Sequence, residues 1–354
     1  MRLGVNTEIA GLSVRQAVEL GVMAEGLGYD DAWSSESGGP DGISPLAGIA
    51  VRTSRIRIGT AIVPIASRPP ALAAMTAASL QELSDGRFVL GLGLSTRHVV
   101  ERWLGQSRDQ PLLRMREYLT VVRDLLDGHR VEFVGSTIAV RGFRLNTPPR
   151  PRVPVYMAAL GPGACRLAGA LADGVIFFLK TPAGVKQAMA WVHEGAADAG
   201  RDPAVVECVL VLAVARGADG RERARACVAR YARVPDYARS LRLQGFDDEV
   251  GAIVAGWAEG EKRAEQAVSP AMVESLILTP DREDGSILLE AFEAARVETA
   301  LLLPLRSPDA DANAFEDAEM VLRTFAPANA RPCRGRTRDD PDMPAGGRRG
   351  RPEP

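Results

Sequence analysis

IRIGTAIVPIASRPPALAAMTAASLQELSDGRFVLGLGLS, residues 56–95, holds the pattern that decides the fold. Its first seven residues are a short aliphatic run, suited to a buried strand. Pro69 then opens an alanine-rich segment reaching Leu83. Proline fits the first helical turn, where its missing N–H removes no intrahelical bond. A second apolar run, 88–94, completes a strand, helix, strand unit. Strands joined through a crossover helix run parallel.

The alternation continues in both directions. Candidate strands fall at 2–6, 31–34, 56–62, 88–94, 153–158, 175–179, 206–213 and 299–304. Helical patterns intervene, as at 14–27, where Val14, Ala17, Val18 and Gly21 recur at helical spacing. Eight such units fit an α/β fold of the closed (β/α)8 TIM-barrel type, which needs ~250 residues before insertions. An open doubly wound sheet is the alternative. Two stretches exceed a minimal barrel. Residues 129–149 are expected to form a hairpin, and residues 218–275 read as arginine-rich and acidic helices between the last two strands, placed to cover the barrel mouth. Residues 1–328 are taken as one barrel domain. The tail 329–354 lacks leucine, isoleucine, valine and aromatics while carrying seven arginines and five prolines, so it is expected to be disordered.

Composition narrows the function. Of 354 residues 46% are hydrophobic, enough for a substantial core. Forty-three basic against 45 acidic residues leave a net charge of -2, which disfavours a nucleic-acid partner and favours a small molecule. Cys165, Cys208, Cys227 and Cys333 are widely spaced and read as reduced thiols. The start MRLGVNTEIA has no signal-like region and no apolar run reaches membrane-spanning length, so a soluble cytoplasmic protein without a membrane partner is expected. The three histidines show neither HxH nor HExxH spacing, so no metal site is expected.

The 56–95 run resembles the luciferase-like flavin and F420-dependent oxidoreductases. YDDAWSSES at 29–37, MAALGPGACRLAGALADGVIF at 157–177 and RVETALLLP at 296–304 extend the resemblance over residues 1–325. The wording is closest to the F420-dependent branch, which includes methylenetetrahydromethanopterin reductase-like proteins. The resemblance implies coenzyme F420, with FMN as the alternative, and a homodimer. It also implies a non-proline cis peptide closing the third strand, near Ala61 and Ile62, behind the coenzyme ring.

Barrel ligands sit at the carboxyl ends of the strands, so the residues just after each apolar run are the ones to examine. These are Asn6, Thr7 and Glu8; Ser34, Ser35 and Glu36; Ser95, Thr96 and Arg97; and Leu160, Gly161 and Pro162. Such a ring suits a flat polar coenzyme and its phosphate. Gly161 and Pro162 open a helix whose N–H groups favour an anion, and the resemblance places the coenzyme phosphate there and at the end of strand four. Gly91 and Gly93 form a GxG without the third glycine of a dinucleotide fingerprint. Gly93 presents bare backbone either to the coenzyme or to a neighbouring strand, and the resemblance adds Gly174 and Val175 to the coenzyme set.

Many relatives end strand two with an acid followed by histidine; this chain has Glu36 and Ser37. A serine cannot shuttle protons at neutral pH as imidazole does. That role is vacant or has moved; Glu36 is the first candidate for the polar contact near the coenzyme ring, Glu8 the second and His98 the third. Each also has a structural reading: a carboxylate held by arginine, a solvated acid, a surface histidine. Trp103, Phe178 and Lys180 are candidates for the acceptor pocket. Lys180, one of three lysines, also admits a Schiff-base aldolase if its amine is desolvated. Hydride transfer between F420 and a small organic acceptor is the leading reading; a reduced-FMN monooxygenase and a catalytically silent flavin-binding barrel are the alternatives.

Overall fold

The computed structural model describes residues 1–279, 284–306 and 313–327, so the expected disordered tail lies outside the described residues. The chain begins with β1 (Arg2–Asn6), α1 (Val14–Gly26), β2 (Asp31–Ser34), α2 (Ser44–Arg52), β3 (Arg57–Thr60), β4 (Val63–Pro64), α3 (Pro70–Leu83) and β5 (Phe88–Gly93). After a π-helical turn at His98–Trp103 come α4 (Pro111–Leu126), β6 (Val131–Val134), β7 (Ala139–Phe143), β8 (Val155–Ala158), α5 (Pro162–Leu171), β9 (Gly174–Phe178), α6 (Pro182–Asp198) and β10 (Glu207–Val214). The helices α7 (Gly220–Ala232), α8 (Pro235–Arg242), α9 (Asp247–Glu259), α10 (Glu261–Gln266) and α11 (Pro270–Leu276) form the insertion. Then follow α12 (Asp284–Ala294), β11 (Thr299–Pro304) and α13 (Ala314–Thr324).

The strands pair in the order β3, β2, β1, β11, β10, β9, β8, β5, and β5 returns to β3 through Ile58 opposite Phe88. Every pairing in this ring is parallel, so the sheet is a closed eight-stranded barrel and not the open alternative. The third barrel strand is not the continuous run 56–62. It stops at Thr60, passes a cis peptide between Ala61 and Ile62, and resumes as β4 against Leu92 and Gly93. The hairpin expected at 129–149 is β6 paired antiparallel with β7. Glu117 on α4 fixes its turn by accepting from the N–H groups of Ser136, Thr137 and Ile138 at 2.7 to 3.0 Å.

Apolar residues fall into three bodies. One joins the outer face of the barrel to the helices around it, including Val5, Leu90, Val175 and Leu210. A second fills the lumen with Trp33, Val89, Tyr156, Ile176, Val209, Val211 and Leu301. The third is the core of the insertion, built from α7 to α11 on Leu179 and Ala213. Alternation along each strand sends successive side chains to lumen and helix layer in turn, as with Val175 outward and Ile176 inward.

Below the lumen layer lies an ionic plug. Arg57 Nε donates to Asp31 Oδ1 at 2.5 Å, its Nη1 meets Glu207 at 3.2 Å, and Arg2 reaches the same glutamate at 2.5 Å. Trp33 Nε1 donates to Asp31 Oδ1 at 2.8 Å. This face carries the strand N-termini, the end of a barrel that serves stability.

Gly91 shows how tightly the barrel closes. A Cβ there would lie 1.8 Å from the Thr60 carbonyl oxygen, while the Thr60 hydroxyl donates to the Gly91 carbonyl at 2.7 Å and accepts from its N–H at 2.8 Å. The obstacle is backbone, so it cannot swing aside. Gly91→Ala is therefore expected to lower unfolding free energy by about 1–3 kcal/mol or more, read as a fall in the urea midpoint; an unchanged midpoint would contradict this packing.

Candidate active site

The carboxyl ends of β1, β2 and β3 are tied into one rim. Asn6 Nδ2 donates to Ser35 Oγ at 2.9 Å, and Ser35 Oγ donates to the Ala61 carbonyl at 2.6 Å. The backbone closes the same seam: Ala61 N–H donates to Ser34 O at 2.7 Å, and Glu36 N–H to Ile62 O at 3.1 Å. The bulge carrying Ala61 and Ile62 is thus pinned from both sides. Ala61 and Ile62 join Ala158, Phe178 and Leu303, half-buried, at the lumen core. Together they give the mouth an apolar floor beside a polar rim.

The three candidates for proton work occupy different surroundings. Glu36 forms an ion pair with Arg68 at 2.5 Å, both side chains mostly buried, and accepts from Gly42 N–H at 3.3 Å. Its structural reading, a carboxylate held by arginine, is the one that the geometry realises. His98 lies exposed on the π-helical turn, edge-on to Trp103 at 5.5 Å. Trp103 is 56% exposed, and its ring faces the loop after β2 at Gly38. Glu8 differs from both. Its N–H is fixed on Asn6 Oδ1 at 3.0 Å, and burial pushes its carboxyl up from the usual value, opposed by hydrogen bonds from Ser37 and the Gly39 backbone. The Glu8 carboxylate lies beside the loop after β2, its Oε1 close to Gly39.

Ser95 and Thr96 follow β5, Ser95 with a left-handed backbone of φ 55°. Thr96 Oγ1 accepts from Val99 N–H at 3.3 Å, so this hydroxyl starts the π-helical turn. Gly161 is the residue before α5, with Pro162 as its first helical residue. A Cβ on Gly161 would meet nothing within 4 Å, so the space above this loop is open.

The bare backbone of Gly93 packs against the bulge before β4: a Cβ there would fall 2.6 Å from the Ile62 side chain. Three positions differ from expectation. Gly174 and Val175 begin β9 at the opposite end of the barrel from the mouth. Gly174 is pressed against the Tyr156 ring, and Val175 is fully buried toward the helix layer. Neither is placed to meet a coenzyme at the rim. Lys180 is 2% exposed, and its ammonium donates to the Leu160 carbonyl at 3.0 Å and to Ser240 Oγ on α8 at 2.9 Å. It holds the underside of the Leu160 loop instead of reaching an acceptor, because the insertion covers it. The desolvation that an aldolase lysine needs is present, but access is not.

Burial lowers the Lys180 ammonium from 10.5 to about 8. Between about 8 and 10.5 the unfolded chain therefore binds more protons at this site, and stability rises with pH across that window. Lys180→Met is expected to remove this rise from the pH dependence of the urea midpoint; an identical slope in both proteins would contradict the assignment.

The insertion supplies residues that strand-end reasoning passed over. Tyr231 and Tyr237 pack against Phe178, the last residue of β9. Gln244 stitches α8 to the barrel, donating to Leu179 O at 3.2 Å and accepting from Thr181 N–H at 2.8 Å. Arg108 pairs with Asp236 at 2.7 Å, joining α8 to the loop before α4. One signal was available: two of the chain's five tyrosines stand six residues apart in an otherwise arginine-rich segment.

The family model described as luciferase-like monooxygenase matches residues 1–299. This chain belongs to the luciferase-like family. Its members include oxidoreductases of differing coenzyme. A 5,10-methylenetetrahydromethanopterin reductase of Methanolobus tindarius is 33% identical over 186 residues, covering 52% of this chain and 56% of the relative. The match thus spans little more than half of that relative's length. Among solved structures, the coenzyme F420-dependent tetrahydromethanopterin reductase from Methanopyrus kandleri superposes with TM-score 0.75 at 21% identity, over 92% of this chain and 97% of that one. The monooxygenase RslO1 from Streptomyces bottropensis gives TM-score 0.64 at 22% identity, over 92% and 98%. At these identities the structural likeness speaks for the barrel fold alone. No helix among the described residues is long and apolar enough to cross a membrane.

Proposed function

We propose that the protein is an oxidoreductase that moves a hydride between coenzyme F420 and a small organic acceptor. The observation that carries this reading is the apolar floor of Ala61, Ile62 and Ala158 beside the rim that Asn6 and Ser35 tie together, with open space at Gly161. The residues present fit a flat ring with a phosphate arm: Ala61, Ile62 and Ala158 beneath the ring, Asn6 and Ser35 at its edge, Ser95, Gly161 and Pro162 around the phosphate. The names of relatives support F420 in particular, among them a glucose-6-phosphate dehydrogenase of Rhodococcus jostii described as F420-dependent, 30% identical over 62% of this chain. When bound there, F420 supplies two-electron hydride chemistry and scarcely reacts with oxygen.

The chain's own contribution is orientation, exclusion of water and one proton. Glu8 is the group we assign to the proton. It stands on the rim, its backbone fixed on Asn6, and burial makes it hold its proton more tightly than an exposed carboxyl. Glu36, neutralised by Arg68, keeps the second rim loop in place.

A reduced-FMN monooxygenase is the second reading, favoured by the likeness to the Streptomyces bottropensis monooxygenase. Titrating the protein with F420 and with FMN side by side, followed by coenzyme fluorescence, separates them. Saturable F420 binding and oxygen-independent acceptor reduction are expected. Binding of FMN alone, with turnover that requires oxygen, overturns the proposal.

A further inference from the structure

The insertion brings two phenols toward the barrel mouth that the protein itself does not use. Tyr231 on α7 and Tyr237 on α8 have ring centroids 4.8 Å apart, and Phe178 lies 4.9 Å from the first and 6.2 Å from the second, nearly perpendicular to both. The three rings touch one another, so they form a continuous wall and leave no hollow between them. Neither hydroxyl has a hydrogen-bond partner among the described residues, and neither oxygen is among the fold's sealed, unsatisfied polar atoms. A half-buried phenol ordinarily finds a partner; here both remain open.

Electrostatics fixes what they offer. Burial raises both phenols above their ordinary value, so both keep their protons and act as donors. The Glu8 carboxyl is near enough to raise Tyr231 further. The wall therefore combines apolar ring surface, two neutral O–H donors and a carboxyl that burial inclines toward its protonated form.

We propose that this wall is the acceptor subsite and that it takes a flat, neutral carbonyl compound, its ring against Phe178 and its oxygen accepting from Tyr231 and Tyr237. The proposal rests on the hydride-transfer reading above and names its substrate class. A molecule of the same shape without the oxygen leaves two donors unsatisfied, which is how a polar site rejects an apolar analogue. A cationic guest fits worse, because the two O–H donors turn their positive ends toward it and burial inclines the nearby Glu8 carboxyl toward its neutral form.

The test uses the coenzyme-free full-length protein and ligand-observed NMR with three probes: 1-tetralone, its deoxygenated analogue tetralin, and benzyltrimethylammonium. We expect 1-tetralone to bind about tenfold tighter than tetralin. Tyr231→Phe and Tyr237→Phe, which keep the rings, are each expected to weaken 1-tetralone by about three- to tenfold and to leave tetralin unchanged. Equal binding of the two bicycles, indifference to both substitutions, or preference for the cation overturns the proposal. F420 binding, followed separately by its own fluorescence, keeps the two readings distinct: its absence alongside a retained preference for 1-tetralone overturns the coenzyme assignment and supports the wall.

Discussion

Glu8→Gln is expected to lower kcat by about 100- to 1,000-fold, within the usual contribution of one positioned acid or base, while leaving coenzyme affinity nearly unchanged. Glutamine keeps the size of the side chain and can still meet Ser37, but it has no proton to exchange. The pH profile supplies the diagnostic. Because burial raises the Glu8 carboxyl, the wild-type protein should hold its acid form to higher pH than an exposed glutamate, and activity that needs this form falls as pH rises through the raised value. In Glu8→Gln that limb should vanish. A variant with normal kcat, or with a low kcat but an unaltered limb, would remove Glu8 from the proton step and return the search to the rim.

The second large effect is expected at the opposite end of the barrel. Arg57→Leu would strand Asp31, fully buried with Arg57 as its principal charge partner. Burial itself raises the Asp31 carboxyl, and Arg57 opposes that rise at 2.5 Å. Removing one partner of a buried pair costs about 3–5 kcal/mol, because the remaining charge is left without compensation. Urea unfolding should show a loss of this size. Arg57→Leu combined with Asp31→Asn should recover part of it, since no charge is then stranded. Equal stability of Arg57→Leu and wild type would mean that the plug contributes nothing to folding.

Most of the barrel was readable because buried parallel strands are contiguous aliphatic runs that few other elements imitate. The break between β3 and β4 was not readable from composition, since Ala61, Ile62 and Val63 suit an uninterrupted strand; only the family resemblance placed a cis bond there. Asn6, Ser35, Gly161 and Glu8 could be placed on the rim because the direction of each strand puts its last residues there. Gly174 and Val175 were misplaced by neglecting that same direction, for they open β9 and so lie at its far end. Lys180 went wrong for another reason. Its position just beyond a strand was correct, but its burial depends on Ser240, sixty residues further on in an insertion whose docking no local pattern reveals. Tyr231 and Tyr237 escaped for the same cause: they reach the mouth through tertiary packing of α7 and α8.

The attachment of α8 has a bearing on how such a protein can diversify. Ser240 and Gln244 grip the carbonyl oxygens of Leu160 and Leu179, and Gln244 accepts from the N–H of Thr181. Every residue type offers that carbonyl, and all but proline offer the N–H, so the docking demands little of the side chains at 160, 179 and 181. Helices fastened in this way can exchange the residues they present to an incoming molecule while the scaffold beneath stays as it is, and new preferences can arise without refounding the barrel.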